Sequence, residues 1–562
     1  MPEEVRASNR PSRQVSRRQF LQVGAVGMSA ALLAACAPTA PATNAPAAGS
    51  GESAAPAASG PQQGGTLRLM GHQEVAGMGP SDQGASVQET VIYAIHNSLV
   101  LVDNELVTKG VLAESFEVAE DGLTYTFNLV PGVKFHDGTD FSAKDVVYTF
   151  DYYRDEANAA SIVGDFTGIS TVEAPDDATV VVNMSQIFAP SLVSWGETPI
   201  VQSTYHAEVG EDTYRTAPIG TGAFKLVNWV PAEVVELEAF DDHFRGRPYI
   251  DGIRQEVVPD ASVRAIALET GDSDGVLWPL LVEDSKRLAE DPNFTVLVSS
   301  TGGIKHIPLN NQHPALSDKA VRQAMMHALD RQRIVDELWN GAAKVANSYY
   351  SPKFSFFSRD GDPTIKQYPY DPDAAIALLE EAGWVPGGDG VREKDGVRLS
   401  FTCTTITGDT ARRPIAELSQ QFLGEVGIEM LLEEAPVSAI LQAMPAGEME
   451  ASLFNWTYGA VDPDPGPTLL TGGSTNFNSY SKPEVDALIE KGASTVDLDE
   501  RQAVYFELQG IIAEDVPMLY LQWDDWYNVF TGRVKGLPES TADGFALYFN
   551  GLHTWWLDPI EG

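Results

Sequence analysis

From Gly65 onward two periodicities interleave, and that interleaving bounds the fold. "GGTLRLMG" alternates apolar and polar residues with period two, as strands do, and "DATVVVNMS", "AFKLVNWVPAEVVELEAF" and "FTVLVSS" read as further strands. Others, "SAKDVVYTFDYYRD", "ASVRAIALETGD", "SDKAVRQAMMHALDRQRIVDELWNG" and "DPDAAIALLEEAGW", read as helices, three of them closed by Gly or Asn-Gly. Ser142 is placed to cap the first of these, with Asp145 in its first turn. "LTYTFNLVPGVKFHDGT" (123–139) reads as a hairpin-like pair broken at Pro131-Gly132. Strands and helices that alternate through most of a chain pack as α/β layers. The roughly 500 residues beyond position 64 are enough for two or three lobes of ordinary domain size, and no fixed-period repeat is visible.

The first 64 residues lack this pattern. In "SRRQFLQVGAVGMSAALLAAC" (16–36) basic residues precede an apolar run from about Leu21 to Leu33, too short to span a bilayer, and small residues follow, which is the order of an export signal. Arg17 and Arg18, followed by Gln19, Phe20 and Leu21, resemble the twin-arginine export motif. Leu33, Ala34, Ala35 and Cys36 resemble a bacterial lipobox, which implies lipidation at Cys36. Residues 37–64 are almost wholly Ala, Pro, Ser, Gly and Thr, a composition that cannot bury enough apolar surface to fold. The expectation is an extracytoplasmic, lipid-anchored chain with a flexible tether at 37–64.

The formal net charge is −42, and removing the five arginines and two glutamates ahead of Cys36 brings it to about −45. Such a surface repels nucleic acid, so no nucleic-acid partner is expected. With only Cys36 and Cys403 present, a lipidated Cys36 leaves Cys403 unpaired, so neither a disulfide framework nor a thiolate metal cluster is available. Cys403 sits in the strand-like "LSFTCTTITG", where a buried thiol is expected. No dinucleotide fingerprint, phosphate loop, His-Glu-x-x-His pair or Gly-x-Ser-x-Gly elbow occurs, and the nine histidines are scattered. His136 beside Asp137 in "KFHDGTDF" reads as part of a structural turn, and no cofactor, metal or catalytic set is expected.

Residues 97–150, "NSLVLVDNELVTKGVLAESFEVAEDGLTYTFNLVPGVKFHDGTDFSAKDVVYTF", closely resemble the dipeptide- and oligopeptide-binding family of ABC-importer solute-binding proteins. Matching stretches follow in the family's order: "PIGTGAFKLVNW" (218–229), "DKAVRQAMMHALDRQRIV" (318–335), "YDPDAAIALLEEAGW" (370–384), "AELSQQFLGEVGIEM" (416–430) and "VYFELQGIIAEDVPMLYL" (504–521). The resemblance implies an α/β, two-lobed, three-domain fold that closes about a hinge over an enclosed cleft. It places lobe I at about 65–100, 216–304 and 526–562, an inserted subdomain at 101–215, and lobe II at 305–525.

In peptide-binding members a tryptophan-led loop supplies, three residues after the tryptophan, an aspartate that pairs with the peptide α-ammonium. Here the loop is "FNWTYGAVDPDPGP": Trp456 matches, but Gly459 stands at the carboxylate position, and the next acids are Asp462 and Asp464. A buried ammonium without a counter-charge carries a large desolvation penalty, so this departure bears on ligand class. The resemblance makes Asn455, Trp456, Tyr458 and Asp462 candidate ligand contacts. Arg413, before a helix, would hold a carboxylate by a bidentate pair, and Trp278 and Trp195 are candidates from apolar loops. The expected function is capture of a small organic ligand, an oligopeptide first, and its delivery to ABC permease subunits by a monomer. Oligosaccharide or chelated-metal binding on the same fold is the alternative, and an extracytoplasmic hydrolase the alternative of another class.

Overall fold

The computed structural model describes residues 60–559 except 83–85, 104–106, 159, 161, 278–279, 340–342, 355, 410, 457–461, 463 and 539–550. The segments expected to be an export signal and a tether, with Cys36, lie outside these residues but for the last few positions of 37–64. The interleaved periodicities fold as a multi-domain α/β protein. Its main feature is a nine-stranded sheet whose order runs Phe454–Trp456, Phe294–Pro308, Met518–Thr531, Gly275–Val276, Thr66–Gly71, Gly252–Val257, Val234–Ala239 and Phe224–Val230, with Ala343–Val345 pairing beside Met518–Thr531. Thr66–Gly71 runs parallel to both its neighbours, and the "AFKLVNWVPAEVVELEAF" segment forms an antiparallel hairpin.

Three large cores hold the layers together. Leu67, Val91, Phe224, Leu237, Ile253 and Phe530 anchor the first lobe. Phe127, Phe135, Phe150, Tyr153, Val182 and Trp195 fill the inserted subdomain, beneath an antiparallel sheet ordered Ala113–Val118, Thr124–Leu129, Thr179–Met184, Ile169–Asp176. Ile307, Met325, Phe401, Cys403, Leu508 and Leu519 belong to the second lobe. Each such large side chain contributes about 1.5–3 kcal/mol on burial, against the conformational entropy of ordering it. Cys403 is fully buried, and burial pushes its thiol up to about 12.

Two antiparallel strands, Phe294–Pro308 and Met518–Thr531, run from one lobe's core into the other's. Leu297 and Phe530 lie in the first, and Ile307 and Leu519 in the second. Their register shifts between Ser300 and Ile304, at the handover between cores. Just beyond it, Lys305 and Asp524 form a buried ion pair, the Gln522 amide donates to Asp524 at 2.9 Å, and the Lys305 ammonium lies 4.8 Å from the Trp339 ring centroid.

Local signals explain several helix starts. Asp145 accepts hydrogen bonds from the Ser142 N–H at 2.9 Å and hydroxyl at 3.2 Å, and through its other oxygen from the Ser203 N–H and hydroxyl at 3.0 and 2.7 Å. One buried carboxylate thus ties two helix starts together. Asp260 caps Ala261–Thr270, which ends at Gly271 in the left-handed conformation with φ 76°.

Two expectations need correction. The stretch 123–139 is not a hairpin: Thr124–Leu129 pairs with Ala113–Val118 and Thr179–Met184, while 130–140 turns at Gly132 (φ 74°) and returns only as an isolated bridge between Lys134 and Asp140. The long helical stretch 318–341 is two helices, Lys319–Ala328 and Arg331–Trp339. Leu329 adopts an extended conformation, and Asp330 accepts the Arg333 N–H at 3.0 Å, restarting the helix as an N-cap.

Candidate ligand-binding cleft

The tryptophan-led loop leaves the edge of the nine-stranded sheet where the lobes meet. Phe454, Asn455 and Trp456 pair in register with His306, Lys305 and Ile304. That pairing holds the partly exposed Asn455 opposite the buried Lys305 and so fixes where the loop departs. The Trp456 side chain, Tyr458, Gly459 and Trp278 lie outside the described residues.

Asp462 is described, and it already has a cation. It forms a buried ion pair with Arg501, 4% and 1% exposed at the side chain. That guanidinium also donates to the Gly492 carbonyl at 3.0 Å and the Tyr505 hydroxyl at 3.1 Å, and lies 5.4 Å from the Phe357 ring centroid. As a candidate contact Asp462 therefore brings no free counter-charge in place of the carboxylate absent at Gly459, because Arg501 holds its Oδ2. Asp464 accepts the Gly466 N–H at 2.9 Å and starts a short helix, while burial raises its carboxyl.

Arg413 also departs from expectation. It is partly exposed and pairs with Glu417 at 2.8 Å and Glu434 at 3.1 Å on the surface of its own helix and the neighbouring strand. Its neighbour Arg412 turns inward, pairing with Asp409 and lying 6.0 Å from the Phe454 ring centroid, with its Nε buried and unpartnered. Successive helical residues diverge by about 100°, so only one arginine of the doublet can face the sheet. Burial, with Arg412 nearby, holds the His306 imidazole down to about 4.

Trp195 is fully buried, edge-on to Tyr125 at 5.0 Å and Phe127 at 6.2 Å. It is a packing residue of the subdomain and presents no face to a ligand. Just beyond it Glu197 emerges on the wall of a cavity of about 1150 Å³ between the inserted subdomain and the second lobe. That volume exceeds the ~300–1,000 Å³ usual for small-ligand pockets. Asp165 stands on the same wall. Burial, and the charge of Glu197, push the Asp165 carboxyl up to about 7, and burial pushes Glu197 to about 7 against the opposing charge of Lys353. Neither residue stands out in the sequence; the signal is a single acid within "IVGDFTG" and "VSWGETP", each otherwise apolar or small.

Residues 108–478 match the profile of the Bacterial extracellular solute-binding proteins, family 5 Middle. The chain is 29% identical over 524 residues to the Oligopeptide-binding protein AppA of Bacillus subtilis, covering 90% of this chain and 94% of the relative. The solved structure of AppA from Bacillus subtilis in complex with a nonapeptide superposes with TM-score 0.77 at 27% identity, covering 89% of this chain and all of that one. NikZ from Campylobacter jejuni in complex with Ni(L-His) gives TM-score 0.76 at 25% identity, over 87% and 99% of the two chains. With the two-lobed fold and the cavity between subdomain and second lobe already described, the profile match across most of the chain makes this protein a member of the bacterial extracellular solute-binding proteins of family 5.

Proposed function

We propose that the protein is the lipid-anchored substrate-binding component of an ABC importer, and that it captures an oligopeptide by hinge closure and hands it to the permease. The observation that carries this reading is the likeness, over nine-tenths of the chain, to an oligopeptide-binding relative. A cavity larger than small-ligand sites usually are agrees with an extended ligand. Closure works through differential affinity for the closed form, with no covalent chemistry. Asn455, Trp456 and Tyr458 are the residues of the loop assigned to ligand contact. Cys36 is the assigned lipidation site, and among the described residues no helix is long and apolar enough to cross a membrane.

A second reading, a chelated metal or an oligosaccharide, is favoured by Gly459 at the carboxylate position and by the likeness to NikZ with its Ni(L-His). A thermal-shift screen separates them, because a ligand that binds only the native state raises its melting temperature. Di- to nonapeptides should raise it; a rise with nickel-histidine or oligosaccharides alone would replace the peptide reading.

A further inference from the structure

The cavity between the inserted subdomain and the second lobe carries a charge pattern that peptide binding as such does not require. Among the described residues its wall holds five carboxylates, Asp165 and Glu197 from the subdomain and Asp462, Asp464 and Glu490 from the second lobe, and no lysine or arginine. Apolar side chains from both sides, Phe188 and Val193 from the subdomain and Leu470 and Ile489 from the second lobe, line the wall among hydroxyl residues such as Ser194 and Thr468. Lys353 is near enough to Glu197 to oppose its shift, but it is not on the wall.

Asp462 adds an independent observation. The residue is 6% exposed, Arg501 occupies its Oδ2, and its Oδ1 is buried with no hydrogen-bond partner. It is an acceptor on the cavity wall that the chain leaves unmatched, and an unmatched buried acceptor is costly. A donor carrying positive charge satisfies this oxygen and offsets the desolvation of Asp165 and Glu197 together, whereas an anion meets only repulsion.

We propose that this cavity is a cation subsite, taking an ammonium or guanidinium group carried on an apolar stem, such as a lysine- or arginine-containing peptide or a polyamine offers. The inference rests on the solute-binding reading above and narrows its ligand class. The net charge of −42 would draw such ligands toward the protein from a distance.

The test is isothermal titration calorimetry on the full chain in mild detergent at pH 8. The probes are spermidine and tripeptides with lysine, arginine, glutamate or leucine between two alanines. The basic tripeptides should bind at least about tenfold tighter than the leucine one, with the glutamate one weakest. In Glu197→Gln and Asp165→Asn the ratio of lysine- to leucine-peptide affinity should fall toward one, and an unchanged far-ultraviolet circular dichroism spectrum shows that the variants fold. Spermidine binding without any peptide binding would support the subsite and overturn the peptide reading. Equal affinity for lysine and leucine peptides, or a basic preference that survives both substitutions, would overturn the subsite and leave the peptide reading standing. Failure of every probe to bind overturns both.

Discussion

A carboxylate in the tryptophan-led loop is not thereby a free counter-charge, and Asp462 shows why. Its place in the tryptophan-led loop made it a candidate contact, yet Arg501 reaches it from the helix Leu498–Asp515 and the two bury each other. Removing one partner of such a pair strands the other charge, so Asp462→Asn should cost about 3–5 kcal/mol, whereas Asp462→Leu combined with Arg501→Met should cost far less. Urea denaturation of both variants decides it: a double variant at least as unstable as the single one contradicts this account. The arginine doublet makes the same point by geometry. Which of Arg412 and Arg413 faces the sheet depends on how the helix is rotated against its neighbours, and that rotation is not written in the doublet.

At the scale of elements, breaks matter as much as periodicity. "KAVRQAMMHALDRQRIVDELW" has helical spacing throughout, but Leu329 leaves the helix and Asp330 begins another. Asp330→Ala removes that cap and should cost about 1 kcal/mol, within the ~0.5–2 kcal/mol span of such losses. An unchanged denaturation midpoint would mean that tertiary packing alone sets the break. The "GTG" of "PIGTGAF" has a different constraint: a Cβ on Gly220 or Gly222 would collide with the carbonyls of Ile95 and Ala94. Both glycines are also tied to His136, whose Nδ1 accepts the Gly220 N–H at 3.3 Å and whose Nε2 donates to the Gly222 carbonyl at 2.9 Å. Gly220→Ala is therefore expected to lower the melting temperature clearly, since the obstruction is backbone and cannot rotate away.

Across the whole molecule, two sets of titrating groups pull stability in opposite directions with pH. Burial holds His96 and His243 down to about 3 and His136 and His306 down to about 4, from 6.5. The unfolded chain then takes up their protons first, so stability falls as pH drops from 6.5 toward 4. Asp165 and Glu197, raised to about 7 from 3.8 and 4.5, act the other way. Their folded forms bind protons first, which adds stability as pH drops from about 7 toward 4.5. Glu197→Gln removes part of the opposing arm, so its melting temperature should fall more steeply than that of the unaltered protein between pH 7 and 4.5. Calorimetric scans of the two that run parallel would show that Glu197 does not carry the shift assigned to it.

The sequence by itself determined the alternation of elements, the Ser142 start and the glycine after Thr270, the buried Cys403, and a family likeness strong enough to give the two-lobed fold. Those features are local: a period, a capping Ser, a closing Gly, a run of matched residues. It did not determine the hairpin-like 123–139, whose strand found partners at Ala113–Val118 and Thr179–Met184 because pairing is chosen among distant segments. Nor did it determine that Trp195 is core, that Asp462 is neutralised, or that Asp165 and Glu197 share a cavity with Asp464. Those outcomes depend on which surfaces are removed from water together, and residues more than two hundred positions apart meet only when the subdomain and the second lobe are folded side by side.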